Sequence, residues 1–223
     1  FNQLTALEYF GYNSKKYMNH QEKLFINDNE VGIYIQIPIY NKSLEDCIEQ
    51  WFVNLSESNC EIDLDSVLHL NDSKNWEIFF RARHSLPTNA LTEVKKLNTI
   101  SILTDTIVPS KNFKKYLELC HKVLNQSKIE YLLFGHLGDC HLHFHLIPNR
   151  EQQKKAMEVY SKLVRYSSDL GGVYSAEHGT GKRKRIDFID CFGLDAVKQV
   201  ANCKKVFDPK FLLNRGNIIE FKN

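Results

Sequence analysis

The segment YLLFGHLGDCHLHFHLIP, residues 131–148, constrains the fold more tightly than any other stretch of the chain. Gly138-Asp139 is a turn signal between two apolar runs, so the segment reads as a β-hairpin with strands at 131–136 and 141–147. Side chains alternate faces along a strand. Leu142, Phe144 and Leu146 therefore share one face, and His141, His143 and His145 share the other. The apolar face is expected to pack on helices and the histidine face to look outward. Four of the nine histidines lie within these ten residues, at 136, 141, 143 and 145. A single histidine in a strand is usually structural. Four in strict alternation point to a functional site.

A hairpin brings His136, at the end of its first strand, near one of His141, His143 or His145 on the second. Two imidazoles on a rigid hairpin make half a site for a divalent cation such as zinc, manganese or iron. A carboxylate would complete it, and Glu177 of SAEHGTG (175–181) is the candidate, because the glycines of that loop permit close approach. His178 follows and would sit beside the cation.

The rest of the chain sets bounds. Its 223 residues fit one domain with a sizeable core, read as 1–223. A net charge of +2 gives no electrostatic case for nucleic acid or for an anionic lipid surface. No apolar run approaches the roughly 18 residues that cross a bilayer, and the first residues do not read as a signal peptide. Six cysteines without CxxC spacing read as reduced thiols in a cytoplasmic protein, in contact with a membrane only through partners. Cys120 and Cys203 fall in helical patterns and are expected to be buried. Trp51 and Trp76 are expected in the core, and His69 and His121 at the surface. GKRKR (181–185) reads as a solvated helix start.

Strands are expected at 31–40 and 99–109, and helices at 43–58, 75–86, 110–127, 149–172 and 193–209. This order implies an α+β fold, a ferredoxin-like antiparallel sheet with helices on one face.

Six stretches, in the family's order along the chain, carry a family resemblance. GHLGDCHLHF resembles the GHxGDGNxH motif of the C-terminal domain of FAD-linked oxidases, in the vanillyl-alcohol oxidase / p-cresol methylhydroxylase superfamily and its D-lactate dehydrogenase, glycolate oxidase and D-2-hydroxyglutarate dehydrogenase branch. FFRARHSL (79–86) resembles that domain's substrate-arginine helix, and LTDTIVPS (103–110) its DvavP strand. GGVYSAEHGTGKRK (171–184) resembles GGxxSgEHGxG, and VFDPKFLLNRGNII (206–219) resembles the closing lDPxxxlNPGK. LTALEYF (4–10) is similar to the domain's start.

The resemblance implies a cap that covers the flavin of an N-terminal FAD domain, a domain of which this chain shows no sign. It implies FAD as cofactor, a small 2-hydroxy acid as substrate and an electron-acceptor protein as a further partner. It assigns His136, His143 and Glu177 to the cation, His178 to the base on the substrate hydroxyl, and Arg83 to the substrate carboxylate. Asn214 falls where the tail returns toward the flavin. His141 and His145 stand where substrate contacts are expected. Cys140 replaces a motif glycine and His141 an asparagine. Leu103 stands where hydroxyglutarate enzymes carry a lysine, which favours a monocarboxylate such as lactate or glycolate. A non-catalytic metal-binding or interaction module on the same scaffold is the alternative.

Overall fold

A computed structural model of the protein describes residues 4–19, 24–25 and 30–219. The outermost ends of the expected 1–223 domain lie outside the described residues. Five strands form one antiparallel sheet in the order β2-β1-β4-β5-β3. They are β1 (Ala6–Phe10), β2 (Gly32–Gln36), β3 (Ile102–Leu103), β4 (Glu130–His136) and β5 (His141–Ile147). The helices are α1 (Ser14–Tyr17), α2 (Leu44–Ser56), α3 (Ser73–Lys96), α4 (Ser110–Ser127), α5 (Gln153–Asp169) and α6 (Arg185–Phe207). The fold is α+β, as expected.

The hairpin is the centre of the sheet. β4 and β5 pair over their full length, from Glu130 opposite Ile147 to His136 opposite His141. Its turn is a 3-10 turn at Leu137–Asp139 followed by Cys140 in the left-handed region, φ 56°. Gly135 lets the two strands close tightly. A Cβ there would stand 2.9 Å from the carbonyl oxygen of His141 and 3.2 Å from the His143 ring.

Both faces of β5 are covered, and every residue of the strand is buried. Leu142, Phe144 and Leu146 pack with Tyr116, Cys120 and Leu124 of α4 and with Ala156 and Leu163 of α5, the expected helical layer. The histidine face does not look outward along its whole length. Ile147 and Leu132 pack under Phe79, Ala82, Leu86, Ala90 and Val94 of α3 on that face. The sheet thus carries α4 and α5 on one side and α3 over part of the other. Each such fully buried aliphatic or aromatic side chain contributes about 1.5–3 kcal/mol, which is what fixes the register.

Several boundaries differ from the sequence reading. The 75–86 helix runs through Pro87 to Lys96. Pro87 removes one backbone donor, but the continued apolar stripe, Leu86, Ala90 and Val94, buries against the sheet and outweighs the loss. The strand expected at 99–109 is regular only at Ile102–Leu103 and continues as isolated bridges, Asp105 to Ser175 and Ile107 to Val173. β1 was not anticipated as a strand. α6 begins at Arg185 and is broken at Gly193 (φ 79°, ψ 172°), where the helix was expected to start. α4 starts at Ser110 with Pro109 at its N-cap, and no side chain caps it. Ser43 does cap α2, in a reciprocal capping box with Asp46. Cys120 is buried, but Cys203 is exposed, and Trp76 is exposed too. His121 is half-buried, its Nδ1 2.7 Å from the Tyr131 hydroxyl.

Candidate functional site

Strand register assembles the site. Residues opposite each other on neighbouring strands share a face. Tyr34, Glu8, His136 and His141 form one row across β2, β1, β4 and β5. Phe10, Phe134 and His143 form the next row on the same face. Glu177 comes from the distant 172–184 segment, which the Asp105 to Ser175 and Ile107 to Val173 bridges hold beside β3.

Glu177 Oε1 is 3.1 Å from His143 Nε2, 3.5 Å from His136 Nε2 and 3.4 Å from His178 Nε2. Ligand atoms of His136, His141, His143 and Glu177 lie within 4.8 Å of one another, as do those of Asp105, His143, Glu177 and His178. The far ring nitrogens decide what this cluster can hold. His143 Nδ1 is 3.1 Å from the carbonyl oxygen of Thr104. A carbonyl only accepts, so Nδ1 carries the proton and the Nε2 of a neutral ring presents a lone pair. His136 Nδ1 stands 2.9 Å from Glu8 Oε1, and a carboxylate there fixes the same tautomer.

Two imidazole lone pairs thus face one carboxylate oxygen at contact distance. Acceptor against acceptor is repulsive unless a cation or a proton lies between them. Burial lowers the His143 pKa, with the Thr104 hydrogen bond a partial offset, so the ring is poised to be neutral. Burial by itself would raise the Glu177 pKa, but positive charge on the surrounding rings of His136, His143, His141 and His178, when they are protonated, outweighs it and favours the carboxylate. The donor set, two imidazole nitrogens and a carboxylate oxygen, fits a zinc, manganese or iron ion.

The family model described as FAD linked oxidases, C-terminal domain, matches residues 37–218. The chain belongs to that family. As an FAD-linked oxidase C-terminal domain it is similar to the mitochondrial D-lactate dehydrogenase (cytochrome) of Kluyveromyces lactis, 32% identical over 52% of this chain and 20% of that protein. It is also similar to the D-lactate dehydrogenase of Anaerostipes hadrus, 27% identical over 86% of this chain and 40% of that protein. Glycolate oxidase subunit GlcD of Bacillus subtilis is 27% identical over 58% of the chain and 28% of its own length. The chain therefore spans between a fifth and two fifths of these relatives. Among solved structures, 4-ethylphenol oxidase from Gulosibacter chungangensis, in its isoeugenol complex, superposes with a TM-score of 0.56 at 14% identity. That match covers 95% of this chain and 46% of the other, and establishes the shared fold.

Of the residues expected at the site, the FAD-linked oxidase domain brings His136, His143, Glu177 and His178 to one point. His178 is 51% and Glu177 45% exposed at the side chain, so one side of the cluster is open. Arg83, on α3, lies one residue beyond this group. Its guanidinium donates to Glu8 at 2.9 Å, and Glu8 in turn meets His136. His141 is buried in the cluster, but its Nε2 is 3.1 Å from Asp105 Oδ1. His145 is buried away from it, its Nε2 3.0 Å from the Ser101 hydroxyl. Asn214 is exposed in the tail, and that tail returns to the site segment through the Ile218 amide, which donates to the Gly181 carbonyl at 2.8 Å.

Three residues of the site escaped the sequence reading. Asp105, 1% exposed, is the anchor of the Glu177 segment. Its Oδ2 accepts from the Ser175 hydroxyl at 2.5 Å, the His178 amide at 3.0 Å and Lys184 Nζ at 2.8 Å, and its Oδ1 accepts from the Glu177 amide at 3.2 Å. Burial alone would raise its pKa, but hydrogen bonds from His141, Lys184, Ser175 and the His178 amide hold it far below the ordinary carboxylate range. A single acid inside the apolar run ILTDTIV was the available signal. Lys184 was read as part of a solvated basic run, yet its side chain is only 14% exposed and is paired with Asp105. Glu8 carried no sequence signal beyond lying in LTALEYF.

Proposed function

We propose that this domain binds the substrate of a flavin-dependent 2-hydroxyacid dehydrogenase, oxidising a D-lactate- or glycolate-like acid to the 2-oxo acid. The arrangement that supports this most strongly is the pair of Nε2 lone pairs converging on Glu177, with His178 beside that carboxylate and the Arg83 guanidinium joined to His136 through Glu8. The names of the relatives, D-lactate dehydrogenase and glycolate oxidase, agree with it.

A divalent cation held by His136, His143 and Glu177 would polarise the substrate hydroxyl and lower its pKa. FAD, carried by a partner domain on the same polypeptide or a separate subunit, would supply the hydride acceptor. The remaining work falls to this chain's own side chains. Arg83 offers a planar fork of N–H donors to the substrate carboxylate, and Glu8 holds that fork in place. His178 Nε2, beside Glu177 and open to the surface, is the group placed to take the hydroxyl proton. Leu103 stands at the position where hydroxyglutarate enzymes carry a lysine, which suits a substrate with one carboxylate.

The test is oxidation of D-lactate and glycolate by the chain together with its FAD-binding domain, with and without Arg83→Ala. Losing a charge-assisted carboxylate contact of about 1.5–3 kcal/mol should lower kcat/KM roughly 10- to 100-fold, with far-UV circular dichroism unchanged. Equal kcat/KM for the variant, or no oxidation of any 2-hydroxy acid by the parent, would exclude this function.

A further inference from the structure

Glu8 lies on β1, outside every segment that supplies a candidate ligand, and is buried. Its two carboxylate oxygens are divided between two halves of the site. Oε1 meets His136 Nδ1 at 2.9 Å and Oε2 meets an Arg83 guanidinium nitrogen at 2.9 Å. We propose that Glu8 is a positioning residue that ties the substrate-carboxylate arginine to the cation pocket, orienting His136 and Arg83 with one side chain. This rests on the cation reading given above and adds to it the group that sets His136.

The chemistry requires a carboxylate at position 8. Both partners are donors, so the residue must accept on both oxygens. A glutamine has one acceptor oxygen and would turn its NH2 toward either Arg83 or His136, donor against donor. A carboxylate on Nδ1 also makes the opposite nitrogen more basic and fixes the ring's orientation, which is how outer groups tune a histidine ligand. Arg83 completes the chain from the other side by holding Oε2, so that Glu8 cannot rotate away from His136. The row of cross-strand partners explains the placement: Glu8 and His136 are direct neighbours on β1 and β4, and α3 crosses this face of the sheet with Arg83.

The experiment titrates Zn2+ or Mn2+ alone into the full chain and into Glu8→Gln, by calorimetry, with circular dichroism as the control for folding. The expected result is a 10- to 100-fold weaker affinity in the variant. Equal affinity in folded Glu8→Gln overturns the positioning role and leaves the cation reading standing. No binding by the parent chain overturns both. A second measurement needs no substitution. Long-range 1H–15N correlation of the histidine rings in the parent chain should show His136 protonated at Nδ1 and bare at Nε2. The reverse tautomer would refute the role of Glu8 even if the variant failed to fold.

Discussion

Replacing Asp105 by alanine should cost about 3–5 kcal/mol of folding stability, the range seen when one member of a buried charge pair is removed. The carboxylate is almost fully enclosed and accepts from Lys184, His141, Ser175 and two backbone amides. Without it, the ammonium of Lys184 loses its charged partner, the Nε2 of buried His141 loses its acceptor, and the 175–178 segment loses its anchor to the sheet. The effect should be visible in urea denaturation followed by circular dichroism, as a lower midpoint with little change in slope. Because the folded-state pKa of Asp105 is depressed, its contribution is fully present above the ordinary carboxylate value of 3.8 and shrinks as the pH falls below it. A loss under about 1 kcal/mol at neutral pH would show that Asp105 is not the anchor described.

The second large effect concerns His145 and acid. Burial, with the neighbouring His143 ring adding to it, pushes its pKa down from 6.5 to about 4. The ring is 2% exposed, and its Nδ1 has no hydrogen-bond partner among the described residues, so a second ring proton would find no acceptor. The unfolded chain takes up that proton near pH 6.5 and the folded chain only near 4, so stability falls as the pH drops through that window. The distance between the two values corresponds to about 3 kcal/mol. His145→Leu removes the proton site, and the exposed Ser101 hydroxyl can turn to water. The stability gap between parent and variant should therefore shift by about 3 kcal/mol in the variant's favour between pH 7 and pH 4. A gap that stays constant with pH would show that His145 does not titrate as described.

Much of this site was legible in the residues. The period-two alternation of HLHFHLI and the Gly138-Asp139 turn specify the β4–β5 hairpin and its two faces, because a one-residue slip would invert every side chain. The hairpin pointed to His136 with one of His141, His143 or His145, and the glycine-flanked EH pair to Glu177 and His178; only the family resemblance singled out His143. What could not be read is what depends on long-range register. The pairing of β1 with β4 sets Glu8 beside His136, and no local pattern in LTALEYF announces it. Lys184 looks like its basic neighbours until the fold brings Asp105 to it. The outward-looking histidine face was an error of the same kind. Alternation gives the face of a strand, but whether α3 covers that face depends on a helix some fifty residues away in sequence. Pro87 misled in the opposite direction, since tertiary packing carried the helix past a residue that locally opposes it.

The central claim is that His136, His143 and Glu177 form one cation pocket. The most direct test is a crystal structure of the chain grown with Zn2+, with the ion located by its anomalous scattering. One ion should lie about 2.0–2.2 Å from Nε2 of His136, Nε2 of His143 and a Glu177 oxygen. Crystals saturated with zinc that show no ion at that point, or hold it only on other residues, would contradict the claim.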